Sequence, residues 1–148
     1  MTTLAADKPR DYQLGDHEEY PVVASDILYE GAAVGEDTNG YARPLQAGDV
    51  FLGFALEHVD NSAGSAGDKR VRVRTRGRIV LPIAALAITA NDRAPVYASD
   101  DDTFTLTAGS NSRIGYVQTW IATGSGVVEF DALVARAMTE ADSAFAAA

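Results

Sequence analysis

Between residues 29 and 131 the chain is cut into short apolar runs by clusters of Gly, Asn, Asp and Ser roughly every ten residues, the spacing of a β-sandwich or barrel. The pattern predicts an all-β fold, a single compact β-barrel or sandwich-like domain. Residues 30–34 and 41–45 read as strands flanking Asp37-Thr38-Asn39-Gly40, where Asn39-Gly40 offers the two positive-φ residues of a tight type I′ hairpin turn. Residues 50–59 read as one longer strand, with Gly53 marking a bulge or a close backbone approach. Residues 60–68 are small and polar with two glycines, which predicts an exposed, mobile loop. Residues 69–81 form the next strand, ended by Pro82, and residues 83–88 predict one helical turn or a short crossover. Further strands are expected over 94–98, 103–107 and 113–122, and a last hairpin turns at Thr123-Gly124-Ser125-Gly126 into 127–131.

The two ends differ from this pattern. Residues 1–22 carry scattered charge, Pro9, Gly15 and Pro21 with little periodicity, and so predict an extended N-terminal arm that orders only against something else. Residues 132–148 form an Ala-rich C-terminal helical tail in which Leu133, Val134, Ala137, Met138 and Ala141 fall at helical spacing; so short a helix needs a docking surface. The body between them, 23–131, is the one folding domain that 148 residues accommodate. With no cysteine, neither disulfides nor thiolate metal sites are available. The N-terminus lacks the basic start and apolar run of a signal peptide and no stretch is long enough to span a bilayer, so a soluble protein made in the cytoplasm is expected. A net charge of −9 argues against nucleic acid or an anionic membrane as the main partner.

No phosphate-loop, dinucleotide, nucleophile-elbow or zinc-protease motif occurs, so no enzyme and no cofactor is expected. His17 and His58 have no metal-pair spacing and read as isolated surface histidines. Asp100-Asp101-Asp102 concentrates carboxylates but lacks the alternating spacing of a calcium loop, and reads as a solvated turn. The most unusual local feature is the alternation of Arg70, Arg72, Arg74, Arg76 and Arg78 with Val71, Val73 and Thr75, which lines one strand face with guanidinium groups. Such a stripe is a solvent face balanced by neighbouring acids, a docking stripe for an acidic protein surface, or a nucleic-acid contact; the last is disfavoured by net charge and by the absence of interleaved aromatics. Trp120 shares a strand face with Ile114, Tyr116 and Gln118, opposite Gly115, Val117, Thr119 and Ile121; it reads as core or as a subunit interface.

Ile27-Leu28-Tyr29-Glu30-Gly31-Ala32-Ala33-Val34, Asn39-Gly40-Tyr41-Ala42-Arg43-Pro44-Leu45 and Gly48-Asp49-Val50-Phe51-Leu52-Gly53-Phe54-Ala55 together resemble the capsid cement, or head decoration, proteins of tailed bacteriophages. Val71-Arg72-Val73-Arg74-Thr75-Arg76-Gly77, Pro95-Val96-Tyr97-Ala98-Ser99-Asp100-Asp101, Phe104-Thr105-Leu106-Thr107 and Ile114-Gly115-Tyr116-Val117 continue it in order, so that the likeness covers about residues 14–132. The resemblance implies a structural virion protein, a homotrimer on the capsid exterior, made in the host cytoplasm, that binds the major capsid protein of the expanded shell and stabilises it against DNA pressure. It implies that an N-terminal arm reaches the shell, often by strand addition, which here maps onto Tyr12, Leu14, Tyr20 and Val22. The alternative expectation is a virion surface module recognising host glycan through exposed aromatics and the 60–68 loop.

Overall fold

A computed structural model describes residue 3 and residues 5–147; residues 1, 2 and 4 of the expected arm and residue 148 of the tail lie outside the described residues. Numbered along the chain, the strands form two antiparallel five-stranded sheets. The first has the order β1 (His17–Pro21), β7 (Arg70–Arg74), β5 (Val50–Ala55), β3 (Ala33–Glu36), β4 (Ala42–Pro44). The second runs β10 (Phe104–Thr105), β9 (Pro95–Ala98), β11 (Ser112–Ala122), β12 (Ser125–Asp131), β8 (Arg76–Pro82). A ribbon of β2 (Asp26–Leu28) and β6 (Val59–Asn61) and a C-terminal helix α1 (Ala132–Ala147) complete the chain. The expected all-β, sandwich-like class is what the chain adopts.

Packing explains the arrangement. Ala33, Phe51 and Phe54 of the first sheet cluster with Leu81, Val96, Ile114, Val117, Val128 and Phe130 of the second, and Phe54 meets Phe130 edge-to-face at 4.9 Å. A second cluster gathers Val34, Ala55, Val71 and Val73 of the first sheet with Leu28 and Val59 of the ribbon. The first sheet is therefore buried on both faces at β3, and the consecutive Ala33 and Val34, each fully buried, belong to different clusters.

Several expected elements change shape. Residues 50–59 and 69–81 are not continuous strands, because each run passes from one layer to another. β5 gives way to β6 in the ribbon, and β7 gives way to β8 in the second sheet. The second crossing is fixed at Thr75, whose N–H donates to Asp16 O at 2.9 Å and whose carbonyl accepts from Ala132 N–H at 2.9 Å. The expected bulge at Gly53 is present: pairing jumps from Val34↔Gly53 to Gly35↔Phe51. Gly53 has φ 133°, and a Cβ there would collide with the carbonyl oxygen of Arg74.

The hairpin between β3 and β4 is also present, but not as a type I′ turn. Positive φ falls on Thr38 (74°) and Gly40 (95°), and the Asp37 carboxylate accepts from the N–H groups of Asn39 at 2.8 Å and Tyr41 at 3.0 Å. That side chain, rather than a two-residue turn, closes the loop. The helical turn expected at 83–88 forms later, as a 3-10 turn over Ile88–Asp92. In β11 the register shifts between Arg113 and Gly115, between Val117 and Thr119 and between Trp120 and Ala122. Each bulge breaks the two-residue alternation, so Ile114, Val117 and Trp120 all join the core cluster, and the expected pairing of Tyr116 with Trp120 on one face fails.

Asp131 caps α1, its Oδ1 accepting from Leu133 N–H at 2.9 Å and Val134 N–H at 3.2 Å. The helix docks through the buried Ala135, with Ala132 packed against the same cluster, whereas Leu133 and Val134 of the expected docking face are exposed. The arm is shorter than its stretch of sequence suggested. From His17 onward it is strand β1, paired with β7, and Val22 is fully buried in the second cluster, so the body begins at His17 rather than at residue 23.

Candidate docking surface

The arginine stripe survives the change of sheet. Arg70, Arg72 and Arg74 on β7 and Arg76 and Arg78 on β8 are all exposed, while Val71 and Val73 between them are fully buried. Acids on neighbouring strands, and Glu57 on the bend after β5, take up part of the charge. Arg70 Nε lies 2.7 Å from Glu19 Oε1, Arg78 Nε 3.0 Å from Glu129 Oε1, and Arg72 Nη2 3.5 Å from Glu57 Oε2. Such solvated pairs contribute at most about 1 kcal/mol each. Among the described residues Arg74 and Arg76 have no ion-pair partner.

These two line a groove of about 490 Å³ where β8, β11 and β12 meet the start of α1. Its walls carry Arg78, Arg113, Tyr116, Glu129 and Asp131, with Phe130, Val134 and Ala135 supplying apolar surface and Asp16 standing where the arm leaves the body. Arg113 is held in the wall with only 10% of its side chain exposed; its Nη1 donates to Tyr116 Oη at 3.1 Å and its Nη2 to Asp142 Oδ2 at 2.8 Å. Its Nε is buried without a partner. Nothing in the sequence pattern singled out Arg113, because Asp142, its one carboxylate partner, lies on α1, 29 positions along the chain.

The arm residues separate into two groups. Tyr12 and Leu14 are 89% and 92% exposed, on backbone without regular structure. Tyr20 and Val22 are instead taken up by the body, Tyr20 half-buried against the second cluster with its phenol pKa raised by burial and by Glu18. Trp120 is partly buried on the first cluster and its indole N–H donates to Leu86 O at 3.1 Å, a placement that serves the core.

The remaining polar features have local structural work. Asp100 closes its own turn, accepting from Asp102 N–H at 2.9 Å and Thr103 Oγ1 at 3.0 Å. His17 lies 3.0 Å from Asp16, and His58 packs edge-on to Tyr29 at 5.1 Å. The 60–68 loop is not loose as expected. Asn61 is buried and donates from Nδ2 to Val23 O at 2.9 Å and Ser65 O at 3.0 Å, while Ser25 and Gly67 bond across to and from the same loop. No helix among the described residues is long and apolar enough to cross a membrane. Searched against protein-family models and curated proteins, the sequence matches none.

Proposed function

We propose that this chain is a non-enzymatic structural protein of a tailed-phage head, a homotrimer that binds the exterior of the expanded shell through its N-terminal arm and stabilises it against packaged DNA. The observation that carries this reading is the first stretch of the arm. Tyr12 and Leu14 are the most exposed large apolar side chains among the described residues, and no hydrogen bond among those residues ties 7–14 to the body. An extended segment of this kind gains about 1.5–3 kcal/mol from each large apolar side chain it buries on a partner, in addition to any strand pairing. The order of strand and turn fragments that resembles decoration proteins supports the same reading.

Removing residues 1–14 tests it. The cut stops at Leu14 because β1 covers the edge of β7, and deletion through Tyr20 would uncover Val71 and Val73. The shortened chain is expected to keep its β-sheet circular dichroism and its trimeric sedimentation, and to lose co-sedimentation with expanded heads. Retained binding would remove the arm from the mechanism. A host-glycan module remains the second reading, but the 60–68 loop that would serve it is pinned from both sides and does not favour it.

A further inference from the structure

We propose that the groove between β8, β11, β12 and α1 is a binding site for a carboxylate carried next to an apolar side chain, as on an acidic peptide segment of a partner protein. Charge accounting within the groove leads there. Its walls hold four arginines, Arg74, Arg76, Arg78 and Arg113, against three carboxylates, Asp16, Glu129 and Asp131. Asp16 hydrogen-bonds the ring of its neighbour His17, Glu129 pairs with Arg78, Asp131 accepts from the first amides of α1, and Arg113 pairs with Asp142 outside these walls. Asp131 stands opposite Arg76 in the strand register and yet forms no ion pair with it, because it caps the helix. Among the described residues Arg74 and Arg76 form no ion pair, and the buried Nε of Arg113 has no hydrogen-bond partner.

The position of Arg74 is shaped for this. Gly77 has φ 149° and no side chain, and a Cβ there would lie 3.5 Å from Arg74 Nη1 and 3.7 Å from the Phe130 ring, so the missing side chain leaves open space between the guanidinium and the ring. Guanidinium groups recognise planar carboxylates in a forked geometry, and Phe130, Val134 and Ala135 in the same walls accept the apolar neighbour. The three wall carboxylates and the net charge of −9 repel a polyanion such as nucleic acid or a dianionic phosphate far more than a single carboxylate. The volume suits a few peptide side chains. The site operates whether the partner is the shell or another protein, so its test is independent of the arm deletion.

The full chain is titrated with acetyl-Glu-Leu amide, acetyl-Gln-Leu amide and inorganic phosphate, following the arginine Nε–Hε signals by NMR. The Glu peptide is expected to shift Arg74 and Arg76 saturably and to bind about tenfold or more tighter than the Gln peptide, the value of a charge-assisted hydrogen bond. The exposed double substitution Arg74→Gln/Arg76→Gln should remove that preference with unchanged circular dichroism. Val134→Glu, which puts a negative charge on the apolar wall, should weaken the Glu peptide with both arginines intact. Equal affinity for the two peptides, or phosphate displacing the Glu peptide at equal concentration, overturns the proposal.

Discussion

Asp101 is a residue whose ionisation works against the fold. Burial raises its pKa, and Asp100, Asp102 and Asp26 add negative charge around it. A carboxyl with a raised folded-state pKa holds its proton more tightly folded than unfolded. Its ionisation therefore costs stability as the pH climbs from the usual carboxylate range through that raised value, and the cost persists at neutral pH. Asp101→Asn keeps the backbone carbonyl that accepts from Ala33 N–H and removes the charge. It is expected to raise the melting temperature at pH 7 and to give no advantage near pH 3, where the carboxyl is neutral in both states. An equal gain at both pH values would show that shape, not charge, is responsible. The sequence placed Asp101 in a turn correctly but gave no sign of its burial, since the covering residues come from elsewhere in the fold. Asn61 was illegible for the same reason: among small polar neighbours it looks like loop filler, and only the folded chain brings Val23 O within its reach.

At the scale of elements, what the sequence revealed was alternation, and what it concealed was the sheet to which each alternating segment belongs. Residues 70–81 keep one in-out rhythm through Thr75, so nothing in the residue pattern marks the passage from β7 to β8; the change lies in the pairing of β7 with β1 and of β8 with β12, strands far away in the sequence. The bulges of β11 were hidden similarly, because they are register shifts in its pairing with other strands, one against β9 and two against β12. The C-terminal helix was legible from composition but its docked side was not, since alanine is apolar on every face of such a helix and close approach to the sheet selects Ala135. This gives α1 a distinctive energetics, with a strong cap at Asp131 and a small buried contact. Asp131→Ala is expected to cost about 0.5–2 kcal/mol, concentrated in the helix. Hydrogen exchange should quicken across the first turns of α1 while β5 and β11 keep their protection. Unchanged exchange in the helix would mean that packing, not the cap, holds its start.

For the whole molecule, the architecture separates a body that is complete in itself from an arm that is not. The two clusters gather the buried side chains of the body, whereas Tyr12 and Leu14 lie outside both and are the most exposed large apolar side chains among the described residues. The general form of this division was readable from hydrophobic spacing, though its boundary was not, because the strand β1 has too few apolar residues to announce itself beside the arm. On the proposed reading, a folded body that binds a lattice through one uncovered segment would act on it by mass action. If it binds only the assembled shell, it stabilises that shell by an amount that grows with the logarithm of free concentration above its dissociation constant, about 2.7 kcal/mol per site at a hundredfold excess. In the proposed trimer three arms would add avidity, because release of one would leave the others engaged at high effective concentration. Expanded heads heated with increasing amounts of the chain should therefore disrupt at progressively higher temperature, steeply until the sites fill and then slowly. The chain lacking residues 1–14 should leave that temperature unchanged at every concentration. A shift of the same size from the armless chain would mean that the body, including its arginine stripe, carries the attachment.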